Sequence, residues 1–131
     1  MIMSEELLQC DKNEVNLRAL EGARIAIPSD ELIYKATEIF SSLADSTRFK
    51  ILAALADSEL CVCELVEICL VSQSAVSHQL RLLRDRRLVR VHREGQRAVY
   101  SLDDDHVRVL IKVGIEHAAH QGIPHGAHLE G

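Results

Sequence analysis

Aromatic residues are scarce in this 131-residue sequence, which holds two Phe, two Tyr and no Trp. A core without them must be built from Leu, Val, Ile and Ala, a mixture that suits packed helices better than a β-sandwich. No apolar run approaches the length needed to cross a bilayer. The first ten residues carry Glu5 and Glu6 where a secretory leader has positive charge followed by an apolar stretch. A cytoplasmic location is therefore expected, with no membrane partner. Internal repeats and low-complexity segments are also missing. What is present is ordinary for a globular chain: 47% apolar and 27% charged residues, enough to form one compact domain and to exclude a wholly disordered or collagen-like chain.

The four cysteines, Cys10, Cys61, Cys63 and Cys69, would be kept reduced in the cytoplasm, which makes them candidates for metal binding, redox sensing or core packing rather than structural disulfides. Net charge is −5, yet the segment from Ser72 to Arg97 holds seven arginines against Asp85 and Glu94. That local +5 inside an otherwise acidic chain is the electrostatic footprint of a nucleic-acid face, although a solvated helix surface can look the same.

Residues 1–27 read as a mobile arm carrying Cys10, with a short helix around Glu14 to Leu20. Residues 28–121 form the folded domain, and 122–131 a Gly-containing flexible tail in which His125 and His128 are expected to be solvated. Within the domain, Pro28-Ser29-Asp30 starts one helix and Asp45-Ser46-Thr47 another, each followed by apolar residues at helical spacing. Two short helices follow, Cys61 to Cys69 and the stretch after Val71-Ser72, joined by a tight turn. Leu88 to Arg93 and Arg97 to Leu102 then flank Glu94-Gly95-Gln96 as a hairpin, the only clear β-structure. Asp103-Asp104-Asp105 caps a last helix that stops near Gly122.

This order of elements predicts a mostly α fold: a winged helix-turn-helix with a two-stranded hairpin wing and a C-terminal dimerisation helix. In such a fold the second helix of the pair enters the DNA major groove. Gln73, Ser74, Ser77 and His78 are the candidate base readers, while Arg81, Arg84, Arg90, Arg93 and Arg97 are available to phosphates.

Ser42-Leu43-Ala44-Asp45-Ser46-Thr47-Arg48, Glu59-Leu60-Cys61-Val62-Cys63-Glu64-Leu65, Ser72-Gln73-Ser74-Ala75-Val76-Ser77-His78-Gln79-Leu80 and the Gly95 hairpin resemble the ArsR/SmtB family of bacterial metal-sensing repressors. The resemblance spans roughly Leu32 to His120. It implies a homodimer that binds double-stranded operator DNA when metal-free and releases it on binding Zn(II).

Asp104-x-His106 and His117-x-x-His120 offer three imidazoles and one carboxylate, a set that suits tetrahedral Zn(II). Eleven helical residues separate His106 from His117 by about 16 Å along the axis, so a single helix cannot close the site. Two antiparallel copies can, and Val107, Leu110 and Ile111 are available to bury the seam. In the resembled family this pattern is a zinc-sensing site, and the ring corresponding to His117 hydrogen-bonds a backbone carbonyl just after the recognition helix, here that of Arg87.

Cys61-x-Cys63 opens a helix, where the dipole favours the metal-binding thiolate. Cys10 and Glu64 are candidate further ligands. The family has a second site at this position that prefers softer or larger ions, which implies Cd(II) or Cu(I) here. Two other readings remain open: sensing of soft metals or oxidants through Cys61 and Cys63, and a small zinc hydrolase. The latter is disfavoured because no open coordination position, general base or pocket motif is evident. Cys69, alone on an apolar side, reads as core.

Overall fold

The computed structural model describes residues 15–122. The chain divides into two compact units, Met1–Ala36 and Thr37–Gly131.

In the first unit, α1 (Leu17–Ala26) starts where the Asn16 side chain accepts a hydrogen bond from the Ala19 N–H at 3.0 Å. The helix begins and ends later than the expected 14–20. Its polar start signal is an Asn, and no apolar stripe marks its length, because none of its residues is buried. Helix α2 (Asp30–Leu43) runs from this unit into the second; Ser29 Oγ accepts from the Leu32 N–H at its start, as Pro28-Ser29-Asp30 predicts.

The second unit contains α3 (Ser46–Leu55), β1 (Leu60–Cys61), α4 (Val62–Cys69), α5 (Gln73–Asp85), β2 (Val89–Glu94), β3 (Arg97–Leu102) and α6 (Asp105–His120). Asp45 caps α3 through Arg48 N–H, and Ser72 caps α5 through Ala75 N–H. Each cap satisfies a helix-end donor that has no partner within the helix. The turn between α4 and α5 passes through Leu70 in the left-handed region (φ 59°).

The sheet departs from the expected two-stranded hairpin. It has three strands in the order β1-β3-β2, with Leu60 opposite Tyr100 and Cys61 opposite Val99. A two-residue strand leaves no alternation to read. The hairpin itself forms as expected around Gly95, whose φ of +64° is one that a side chain would strain.

The core joins Ile51, Leu52 and Leu55 of α3 to Leu65 of α4, Val76, Leu80 and Leu83 of α5, and Val107 and Ile111 of α6. Val107 and Ile111 are thus spent inside the protomer, which corrects their expected role in an interprotomer seam. The exposed apolar positions of α6 are instead Val109, Val113 and Ile115. Helix α6 advances about 100° per residue, and its inward stripe uses positions 107 and 111.

Candidate nucleic-acid interface and metal centres

Helix α5 has one apolar and one polar face. Val76, Leu80 and Leu83 bury one stripe, while Gln73, Ser74, Ser77, His78, Arg81 and Arg84 are exposed. Arg81, Arg84 and Arg90 make no side-chain hydrogen bond or ion pair among the described residues, so their guanidinium groups can meet phosphates. Arg93 donates to the Gln96 carbonyl at 3.2 Å, tying it to the wing turn. Arg97 lies 3.3 Å from Glu64 Oε1.

The base of α5 is held by arginines whose role is structural. Arg86 Nη1 donates to Ser42 Oγ (2.7 Å) and to the Glu38 carbonyl (3.1 Å). Ser42 is itself buried, at 1% exposure. Arg48 donates from Nε to the Ser42 carbonyl and from Nη1 to Gln79 Oε1. Charge counting had placed Arg86 in the basic face; its contacts assign it to joining α2 with α5. The helix ends in a Schellman motif: Leu88 N–H bonds the Leu83 carbonyl, Arg87 N–H bonds the Arg84 carbonyl, and Arg87 sits at φ 59°. Gly is usual at that position, so the stop carries no clear sequence signal.

At the other end of the domain, Asp104 caps α6. Its Oδ1 accepts from the Val107 N–H at 3.1 Å, and its Oδ2 lies 3.6 Å from His106 Nδ1. The Val107 N–H, and then His106, hold the Asp104 carboxyl below its usual range. The separation of 3.6 Å is close to the edge of about 3.3 Å between ligand atoms of a tetrahedral zinc ion, so this pair fits half of such a site. Arg108 positions the helix start by donating to the Ala56 carbonyl at 3.1 Å and pairing with Asp105. His117 and His120 are exposed near the far end, and Gln121 Nε2 lies 3.2 Å from His117 Nε2. His117 makes no hydrogen bond to Arg87 in this structure. Asp104 and His106 do not converge with His117 and His120 within the protomer.

Cys61 is the N-cap of α4, and Cys63 is exposed in its first turn. Glu64 Oε1 accepts from the Cys61 N–H at 2.9 Å as well as from Arg97. The Cys61 backbone, then its side chain and the Arg97 charge hold the Glu64 carboxyl low. Glu64 can serve as a metal ligand beside Cys61 only by loosening these bonds or through its other oxygen. Cys10 lies outside the described residues, as do His125 and His128. Cys69 is buried, and burial raises its thiol pKa, as expected for core. Among the described residues the one converging trio of His, Cys, Asp or Glu is Glu59, His92 and Glu94. It was missed in sequence because sheet pairing, not spacing, brings Glu59 to β2.

A capped helix pair with an exposed polar face on the second helix, followed by a β-hairpin, defines a winged helix-turn-helix DNA-binding regulator. Residues 45–91 match the bacterial regulatory protein, arsR family. The chain is 42% identical over 114 residues to a transcriptional repressor SmtB homolog from Synechocystis sp., covering 87% of this chain and 86% of that protein. A cadmium resistance transcriptional regulatory protein CadC homolog from Staphylococcus aureus is 40% identical over 81 residues, covering 61% and 67%. The homodimeric winged helix-turn-helix DNA-binding domain Mb0332 from Mycobacterium bovis superposes with a TM-score of 0.65 at 26% identity, covering 79% of this chain and 97% of that one. The chain belongs to the ArsR/SmtB family of transcriptional regulators, and that family is not one of enzymes. No helix among the described residues is long and apolar enough to cross a membrane.

Proposed function

We propose that the protein is a homodimeric, metal-responsive repressor that binds operator DNA when metal-free and dissociates on binding Zn(II). The carrying observation is the division of α6. The Asp104–His106 pair stands at one end with ligand atoms 3.6 Å apart, and His117 and His120 are exposed at the other. Two antiparallel α6 helices would complete each half with the other's, giving two equivalent four-ligand sites. A closed set of protein ligands suits regulation rather than catalysis. The exposed Val109, Val113 and Ile115, and the apolar groove lined by Phe49, Gly114, Ile115, Ala118 and Ala119, supply surface for the dimer.

Zinc can release DNA only by binding better to the form with low DNA affinity, so the two ligands share one coupling free energy. His117 is the link in this reading. Its ring would exchange the Gln121 contact for the Arg87 carbonyl, which the Schellman turn fixes at the end of α5. Cys61 and Cys63, with Cys10 and Glu64, form a second site for softer ions such as Cd(II) or Cu(I).

The deciding experiment is operator binding during titration with Zn(II), Cd(II) and Cu(I), in variants that remove the helix ligands or the cysteines separately. Loss of zinc response on substituting the helix ligands alone supports the reading. Loss on substituting the cysteines alone transfers sensing to Cys61 and Cys63.

A further inference from the structure

We propose that Glu59, His92 and Glu94 form a separate divalent-cation site on the wing, taking an ion of the Zn(II) class with water completing its coordination. His92 Nε2 lies 3.1 Å from Glu94 Oε2 and 3.9 Å from Glu59 Oε1, and the three ligand atoms all fall within 4.8 Å of one another. Tetrahedral zinc with bonds near 2.0–2.1 Å separates its ligand atoms by about 3.3 Å. Small side-chain rotations therefore bring one nitrogen and two oxygens onto a single centre.

The backbone fixes this arrangement. His92 and Glu94 alternate onto one face of β2, opposite Val99 and Arg97 of β3. Cys61 of β1 is also paired with Val99, so the segment leading into β1 brings Glu59 across the same face. Arg90 and Arg97 share this face, Arg97 opposite Glu94 and within reach of its charge, but neither makes an ion pair with Glu59 or Glu94 among the described residues. The His92 imidazole nitrogen lies near both carboxylates, so one nitrogen and two oxygens are offered to a single ion. One nitrogen and two carboxylate oxygens with open positions select a borderline divalent ion over a soft one. An ion there ties the outer wing strand to the entrance of α4 and neutralises two negative charges beside the wing arginines. The site shares no residue with α6 or with Cys61 and Cys63.

The test uses the full chain carrying His117→Asn and Cys61→Ser, compared with the same chain carrying His92→Ala in addition. Equilibrium dialysis against Zn(II) is expected to give one fewer ion per protomer when His92 is removed. Glu59→Gln, which keeps the side-chain size, should weaken that ion's binding at least tenfold. Imidazole nitrogen resonances provide a second reading, with His92 Nε2 shifting on zinc addition at fixed pH. Equal stoichiometry and affinity with and without His92, or a His92 signal that responds to pH but not to zinc, would overturn the proposal and leave a proton as the cation between the carboxylates.

Discussion

Arg97 of the wing and Glu64 of α4 meet at 3.3 Å, and the same Glu64 oxygen accepts the Cys61 N–H. One carboxylate thereby connects the cysteine-bearing helix start to the hairpin. Because Glu64 has its folded pKa depressed by these partners, as Asp104 does by the Val107 N–H, both stabilise the fold above their ordinary carboxylate pKa. That contribution is lost as pH falls through the lowered values. Thermal melts from pH 6 downward should therefore show a loss of stability in acid that is smaller in Glu64→Gln and Asp104→Asn. An unchanged loss in both variants would contradict the assignment.

The buried Ser42 hydroxyl accepts from Arg86 and donates to the Glu38 carbonyl. Removing the guanidinium strands a buried acceptor, so Arg86→Ala should destabilise the protein by about 1–3 kcal/mol in denaturant titration. Arg84→Ala, on an exposed guanidinium without such contacts, should stay near wild type in stability and lose DNA affinity instead.

Much of this was legible in the sequence. Ser29, Asp45, Ser72 and Asp104 mark helix starts because a short polar side chain can accept from the first turn, and the structure uses all four. Gly95 marked the hairpin because a tight turn demands a positive φ, which glycine adopts without strain. Contacts between distant segments were not legible. Nothing in the spacing joins Glu59 to His92, Arg86 to Ser42 or Leu60 to Tyr100, since these depend on strand order and on how α2 meets α5. Val107 and Ile111 were assigned to the seam because one helix carries both inward and outward apolar positions, and periodicity does not tell which faces the protomer's own core.

In the proposed reading, DNA recognition divides between the polar face of α5 and the arginines of the wing. Substituting Arg93 should weaken binding to all sequences alike and lower the slope of log affinity against log salt by about 1. Replacing Ser77 or His78 should change preference among operator variants. Equal loss of discrimination from both kinds of variant, measured by fluorescence anisotropy, would contradict the division.

Cys61→Ser should abolish the thiolate-to-metal absorbance expected with Cd(II) while leaving zinc-driven release of DNA largely intact, because the proposed ligands on α6 contain no sulfur. Absorbance titration and operator binding on the same sample check both halves.

In the proposed site, imidazole binds zinc only without its proton, so zinc affinity at His106, His117 and His120 should fall as pH is lowered, and DNA release should weaken with it. The most direct measurement is operator affinity of the His117→Asn variant with and without saturating zinc. Metal-free binding near wild type, with the zinc-linked coupling reduced toward zero from a scale of about 1–3 kcal/mol, is the predicted result. Full release of DNA by this variant at zinc saturation would contradict a relay through His117 and show that closure by the remaining ligands is sufficient.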